Sequence, residues 1–200
     1  MPQQSPELAL PPRIADWTDE HFLSDLSQRA TDNIGDRVLG ERSIERYLAG
    51  PDAIPIIDPT QRRSGYAACA AAARAGTPAG SSPQGEQPKF LARPEERGHR
   101  TQVLVKFSPP RASETGQRGV DLLRCEHLAH QVLQGAGIAS CRSRLFSFDE
   151  RTYLKIERFD RLGTQGRRGV VSLYAVDLTR YGKLDRWSEC ARRLHNERLL

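Results

Sequence analysis

Two residues of opposite charge occupy positions that suggest a shared role. Lys106 lies within the alternating run "TQVLVKFSP" (101–109), which predicts a β-strand carrying Lys106 and Leu104 on one face. Glu126 lies within "GVDLLRCEHLAHQVLQGAG" (119–137), which predicts an amphipathic helix. Helical spacing places Glu126 on a stripe with three apolar residues: Leu122, Ala129 and Leu133. A carboxylate on an apolar stripe needs a cation, and Lys106, one element upstream, is the natural partner.

Such a pair would suit phosphoryl chemistry. A lysine on a strand, paired with a glutamate on the next helix, is how protein kinases hold the α- and β-phosphates of ATP. The alternative is that Glu126 reaches water at the edge of its stripe and that Lys106 is a surface residue. The spacing alone leaves both interpretations open.

The stretch "AGSSPQGEQPKFLA" (79–92) precedes the lysine strand, where a kinase has its glycine-containing phosphate loop. Gly85 would let the backbone approach a phosphate closely, and Gln84 and Gln87 can donate side-chain hydrogen bonds. The stretch is not a Walker A loop, because the terminal Gly-Lys-Ser/Thr is missing. A solvated linker is the alternative.

A third feature is the predicted hairpin formed by "SRLFSFD" and "TYLKIERFD" around a turn at residues 149–151. In a kinase, the second strand of such a hairpin leads into the hinge, the connection that binds adenine. We refer to residues 157–161 as the hinge segment, and Glu157 and Phe159 are expected on the same side of it. An ordinary amphipathic strand is the alternative.

The remaining patterns complete an α+β prediction, with a helix packed on an antiparallel sheet. Further helices are predicted at 19–30, 43–51, 65–76 and 186–200, an extended piece at 53–59, a flexible basic loop at 161–169, and a short strand or extended run at 170–176. The predicted organisation is a disordered tail (1–15), a mostly helical subdomain (16–78), a sheet-containing lobe (79–177) and the start of a helical lobe (178–200).

Together, "GSSPQGEQPKF", "VLVKFSP", "LLRCEHLAHQVL" and "YLKIERFDR" resemble the HipA-type serine/threonine protein kinases of bacterial toxin–antitoxin systems. The resemblance covers roughly residues 34–200 and implies a kinase-like N-terminal lobe. It implies that Lys106 binds the ATP phosphates and that Glu126 orients Lys106. The other residues that it assigns to ATP are Gln84, Gly85 and Gln87 in the phosphate loop, and Glu157 and Phe159 at the adenine.

The resemblance also makes Ser82 the candidate for autophosphorylation, with Ser81 as the neighbouring alternative. In this family, phosphorylation of the loop serine ejects the loop and shuts the enzyme off. A phosphate adds close to two negative charges, which would repel ATP.

The sequence departs from the family in its catalytic region. Kinases need a catalytic Asp followed by an Asn, and a second Asp that binds Mg²⁺. The family carries these in a stretch resembling N-x-D-x-H-x-x-N, which this sequence lacks, and Asp160, Asp177 and Asp185 stand in other contexts. The sequence therefore predicts the N-terminal lobe of a kinase that uses ATP and Mg²⁺, without catalytic residues or magnesium ligands of its own.

Two other hypotheses remain open. One is a non-catalytic regulatory module that engages an antitoxin-like DNA-binding protein, a separate C-terminal lobe, or DNA. Direct DNA binding is disfavoured because residues 1–80 show no helix-turn-helix pattern, and a net charge of +5 is too weak to identify a partner. The other is a remnant that has no stable fold.

Composition limits the location of the protein. The 200 residues contain no run of about 18 apolar residues, so no membrane span is predicted. The N-terminus lacks the basic and apolar regions of a secretory signal. The four cysteines form no CxxC pair, which favours free thiols in a reducing cytoplasm.

Overall fold

A computed structural model describes residues 10–11, 13–29, 32–49, 54–75, 87–96, 99–163 and 166–199. Residues 1–9 of the predicted disordered tail lie outside these ranges. Within them the chain has the α+β fold class that the sequence predicts. None of the helices in these ranges is long and apolar enough to cross a bilayer.

The predicted helices and strands are present in the predicted order, with one exception, and strands that were not predicted are added at 89–96, 99–100, 161–162 and 166–167. The helices are α1 (Asp19–Arg29), α2 (Glu41–Ala49), α3 (Arg62–Arg74), α4 (Glu114–Gly135), α5 (Leu173–Tyr181) and α6 (Trp187–Asn196). The strands are β1 (Ile56–Ile57), β2 (Lys89–Glu96), β3 (His99–Arg100), β4 (Val103–Phe107), β5 (Ser143–Phe148), β6 (Arg151–Glu157), β7 (Arg161–Leu162) and β8 (Gly166–Arg167).

The exception is the run 170–176, for which the strand prediction was wrong, because α5 begins within it at Leu173. Ser172 caps this helix, its Oγ accepting a hydrogen bond from the Ala175 N–H at 3.1 Å. Gly182, with φ of 61°, ends it in the left-handed conformation. These two terminal signals outweigh the β-propensity of the valines that precede the helix.

One main sheet organises the molecule, with strand order β1-β2-β4-β6-β5 and β3 paired to β2. Strand β1 runs parallel to β2, and the other pairs are antiparallel. In this register Lys106 of β4 lies opposite Lys89 of β2 and Leu154 of β6. Strands β7 and β8 form a separate small hairpin within the predicted basic loop.

The first face of the sheet is covered by α3. Val103, Val105 and Phe107 lie on one face of β4, as their alternation indicates, and are buried. Tyr66 of α3 lies fully buried against them, with its ring centroid 5.5 Å from that of Phe90. The small side chains of the alanine-rich helix α3 permit this close approach to the sheet.

The second face is covered by α4, whose buried Leu123 packs against Leu154 and Ile156 of β6. A Cβ placed on Gly116 would lie 1.8 Å from the carbonyl oxygen of Pro110, so only glycine fits there. The first turn of α4 is thus seated against the chain that leaves β4, which fixes the helix relative to the face that carries Lys106.

Candidate functional site

Lys106 and Glu126 form an ion pair on the α4 side of the sheet. The Lys106 ammonium donates hydrogen bonds to both carboxylate oxygens of Glu126, at 2.7 and 2.8 Å. The two side chains are 21% and 27% exposed, so the pair is sheltered but solvent reaches it. Of the two arrangements that the spacing left open, the structure has the paired one.

The helix face that carries Glu126 differs from the predicted stripe. Leu122, Ala129 and Leu133 are exposed, while Val120 and Leu123 are buried against the sheet. Glu126 follows Leu123 by three residues, which turns its carboxylate toward β4. The stripe was wrong because α4 carries apolar residues on both sides, and periodicity alone does not tell which side meets the sheet.

A second lysine lies beside the pair and was not singled out from the sequence. Lys89 faces Lys106 directly across the β2–β4 ladder. Burial, together with the nearby positive charge of Lys106, lowers the pKa of Lys89, and the Glu126 carboxylate opposes this shift. Only the strand register brings the lysines together, since 17 residues separate them in sequence.

Of the residues in the stretch 79–92 that were predicted to contact phosphate, the structure describes only Gln87. It lies two residues before Lys89 at the entrance to β2, where the Pro88 carbonyl accepts a hydrogen bond from the Phe107 N–H at 3.1 Å. Gln87 is therefore close to the end of the lysine strand. Its predicted partners and the candidate modification sites lie outside the described residues: Ser81, Ser82, Gln84 and Gly85.

The hinge segment carries both of the residues predicted to contact adenine. Glu157 ends β6 and forms an ion pair with Arg142 at 2.8 Å. Phe159, two residues later, has 59% of its surface exposed. An exposed aromatic ring beside a strand end offers an apolar surface for stacking.

The other members of the hinge segment are buried, which sequence reasoning missed. Arg158, Asp160 and Arg161 form a network of ion pairs with Asp32, which precedes α2. The sequence feature that could have indicated these ion pairs is the "RFDR" run, in which oppositely charged residues surround one aromatic residue. Its partner could not be identified from sequence, because Asp32 is 126 residues away from Arg158.

Two histidines connect α4 to β5. The Nδ1 atoms of His127 and His130 lie 2.8 and 3.0 Å from the Ser143 Oγ. Both contacts are close to Glu126 in the chain and hold the same stretch of α4. Nearby, burial and then the Glu126 and Asp160 carboxylates raise the pKa of the Cys141 thiol, which disfavours the reactive thiolate.

The described residues contain no cluster of three or more His, Cys, Asp or Glu side chains able to hold a metal ion. Asp160 belongs to the hinge network, and Asp177 and Asp185 share Arg193 at 2.6 and 2.9 Å. These three aspartates are engaged by arginines and form part of the scaffold. All four cysteines are free.

Comparison with known proteins divides the chain into two parts. The family model described as HipA-like C-terminal domain matches residues 81–198, and the model described as YjjJ-like toxin, middle domain, matches residues 1–48. Toxin YjjJ of Escherichia coli (strain K12) is 34% identical over 197 residues, which cover 97% of this chain and 44% of that protein. The chain thus spans less than half the length of this relative. No solved structure matches.

Proposed function

The chain belongs to the HipA-like toxin family, and we propose that it is the N-terminal, nucleotide-binding lobe of a serine/threonine protein kinase. The observation that carries this proposal is the Lys106–Glu126 pair, which joins the strand and helix that kinases use for this purpose. The reaction proposed for the whole protein is transfer of the ATP γ-phosphoryl group to a serine hydroxyl of another protein.

The phosphates would lie on the sheet face that carries Lys106 and Lys89. Lys106 donates to phosphate oxygens, and Glu126, bonded through both carboxylate oxygens, keeps the ammonium group in place. Across the ladder Lys89 adds a second positive charge. Two lysines with one carboxylate suit an anionic ligand, because these three residues together carry a positive charge.

The remaining ATP contacts would come from the hinge segment and from the loop that precedes β2. Adenine would stack on the exposed ring of Phe159 and meet the backbone near Glu157 at the end of β6. Gln87, with Gln84 and Gly85, would cover the phosphates. Ser82 would be the residue whose phosphorylation expels this loop by charge repulsion.

Magnesium and the catalytic base are assigned to none of the described residues. Asp160, Asp177 and Asp185, the aspartates considered from the sequence, are instead engaged by arginines. In kinases this ion neutralises charge on the transferring phosphate. The role of this chain is therefore to hold and orient the nucleotide.

The toxin family also makes an antitoxin-like protein the natural candidate partner, in the cytoplasm of a bacterium. The exposed apolar residues of α4, namely Leu122, Leu128, Val132 and Leu133, offer a surface for contact with another polypeptide. A second lobe that completes the cleft is the alternative occupant. Both assignments stay predictions.

The nucleotide proposal is tested by titrating the 200-residue chain with a fluorescent ATP analogue without magnesium. Lys106→Met should weaken binding about tenfold or more, since a hydrogen bond to a charged group contributes about 1.5–3 kcal/mol. Lys183→Met, which removes an exposed lysine after α5, is the matched control and should bind like the wild type. Equal affinity in wild type and Lys106→Met would contradict the proposal, as would wild-type protein that binds no analogue.

A further inference from the structure

The hinge segment is attached to the N-terminal part of the chain by four buried charged side chains, which we call the hinge clamp: Asp32, Arg158, Asp160 and Arg161. Each aspartate accepts hydrogen bonds from both arginines. Asp160 lies 2.8 Å from Arg158 and 2.7 Å from Arg161. None of these side chains is more than 8% exposed. Two positive and two negative charges balance inside the clamp.

Backbone groups of the segment 32–37 extend the clamp. The Gly35 N–H donates to Asp160 Oδ2 at 2.9 Å, and Arg161 donates to the carbonyl oxygens of Gly35 and Asn33 at 2.9 and 2.7 Å. The arginine and aspartate side chains thereby satisfy backbone atoms of a segment without regular secondary structure. The segment and the hinge therefore depend on each other for their hydrogen bonds.

A second set of contacts surrounds the clamp. The Arg167 guanidinium of β8 lies 4.3 Å from the ring centroid of Tyr47 in α2. A Cβ on Gly35, whose φ is 82°, would lie 3.1 Å from the Val170 backbone nitrogen. The N-terminal part therefore contacts β8 and the residues after it, as well as the hinge segment.

The clamp fixes the residues on both sides of Phe159. Arg158 is held by Asp32, and its N–H donates to the Gln102 carbonyl oxygen at 3.1 Å, while Asp160 is held by Gly35. Because both neighbours are held, the backbone of Phe159 is fixed in position, although its ring is exposed. Asp32 and Gly35, which lie outside the main sheet, thus determine the position of the proposed adenine surface.

The clamp also joins the two parts that match different families. Asp32 lies within residues 1–48, and Arg158 and Arg161 lie within residues 81–198. Independent domains are usually joined by an exposed linker, and few contacts connect them. Here the two matched parts instead share a buried, charge-balanced core.

We propose that Asp32 is a positioning residue for the hinge segment, so that the N-terminal part sets the geometry of the nucleotide site instead of acting as a separate module. The link to nucleotide rests on the proposed function, whereas the link to the hinge does not. Removal of the Asp32 charge should loosen the hinge and leave the Lys106–Glu126 pair in place.

The test compares Asp32→Asn with the wild-type chain by hydrogen exchange and by titration with the fluorescent ATP analogue. In Asp32→Asn, amide exchange in residues 158–162 should rise about tenfold, and that in β4 should stay unchanged. Analogue affinity should fall about fivefold, since the hinge must then be ordered on binding. Asp177→Asn, which removes the charge of another buried aspartate, in an ion pair between α5 and α6, is the control and should change neither reading at the hinge.

A double variant separates positioning from stability. Asp32→Asn with Arg158→Met leaves Asp160 and Arg161 as a balanced pair, so it should regain stability that the single variant loses, while its hinge still exchanges faster. It also decides the question if Asp32→Asn alone does not fold. Wild-type exchange at the hinge in either folded variant, or an equal increase in Asp177→Asn, would overturn the inference. If the wild type binds no analogue, the proposed function fails, and hinge exchange alone still decides the role of Asp32.

Discussion

The Lys106–Glu126 pair and the hinge clamp use the same types of charge in opposite ways. In the pair, one ammonium faces one carboxylate, and solvent reaches both side chains. In the clamp, each aspartate is bonded to two arginines, and water is nearly excluded. Because solvent reaches the Lys106–Glu126 pair, a ligand can also reach it and form hydrogen bonds with it. In the hinge clamp every charged group already has its partners, so a change there can only remove hydrogen bonds.

Asp160 illustrates how the clamp tolerates its burial. Burial raises the pKa of this carboxyl, but hydrogen bonds from Arg158 and from the Gly35 N–H, with the charges of both arginines, lower it overall. The ionised form therefore persists inside the protein. Removal of a single partner from such a network costs far more than the net contribution of the intact network.

The largest expected effect is on stability. Arg161→Met should lower the free energy of unfolding by about 3–5 kcal/mol, because it leaves two buried aspartates with one arginine. Lys106→Met should lower it by only about 1 kcal/mol, because water can solvate Glu126. Urea denaturation followed by circular dichroism measures both. Similar losses in the two variants would remove the distinction between the pair and the clamp.

An intermediate effect is expected in the pH dependence of nucleotide binding. Because the pKa of Lys89 is lowered, its charge is lost at a lower pH than that of an ordinary lysine, which titrates near 10.4. Affinity for the ATP analogue should therefore begin to fall below that pH as the solution is made more alkaline.

Lys89→Met tests this assignment. The variant should bind the analogue about fivefold more weakly at pH 7, equivalent to roughly 1 kcal/mol, and should lack the early alkaline loss of affinity. Lys183→Met should keep the wild-type profile. If the pH dependence of analogue affinity is the same in Lys89→Met as in the wild type, Lys89 does not contact the phosphates, and Lys106 is the lysine that does.

The smallest effect concerns the β5–β6 turn, which belongs to neither charged region. Asp149 and Glu150 both have positive φ, at 50° and 59°, as in a type I′ hairpin turn that favours glycine. Glu150→Gly should stabilise the protein by about 0.5–1 kcal/mol, which raises Tm by roughly 1–4 °C in a chain of this size. Differential scanning calorimetry measures the shift, and analogue affinity should not change. A lower Tm would show that the glutamate side chain stabilises the turn.

Local patterns were sufficient where neighbouring residues decide the conformation. The alternation in 101–109 predicts β4 and the division of its residues between two faces, and the spacing in 119–137 predicts α4. The turn at Asp149 and Glu150 separates the two hairpin strands as expected. The run 170–176 failed because a serine cap, which is a short and common signal, competes there with β-branched residues.

By itself, the sequence determined the elements that carry Lys106 and Glu126, their order, and the chemistry that a lysine and a glutamate can share. The tertiary structure alone decided which face of α4 meets the sheet, that Lys89 lies opposite Lys106, and that Asp32 holds the hinge segment. The physical reason is the range of the interactions. Periodicity and capping act within one or two turns of chain, whereas strand register and buried ion pairs join residues that are distant in sequence and adjacent only once the core has formed.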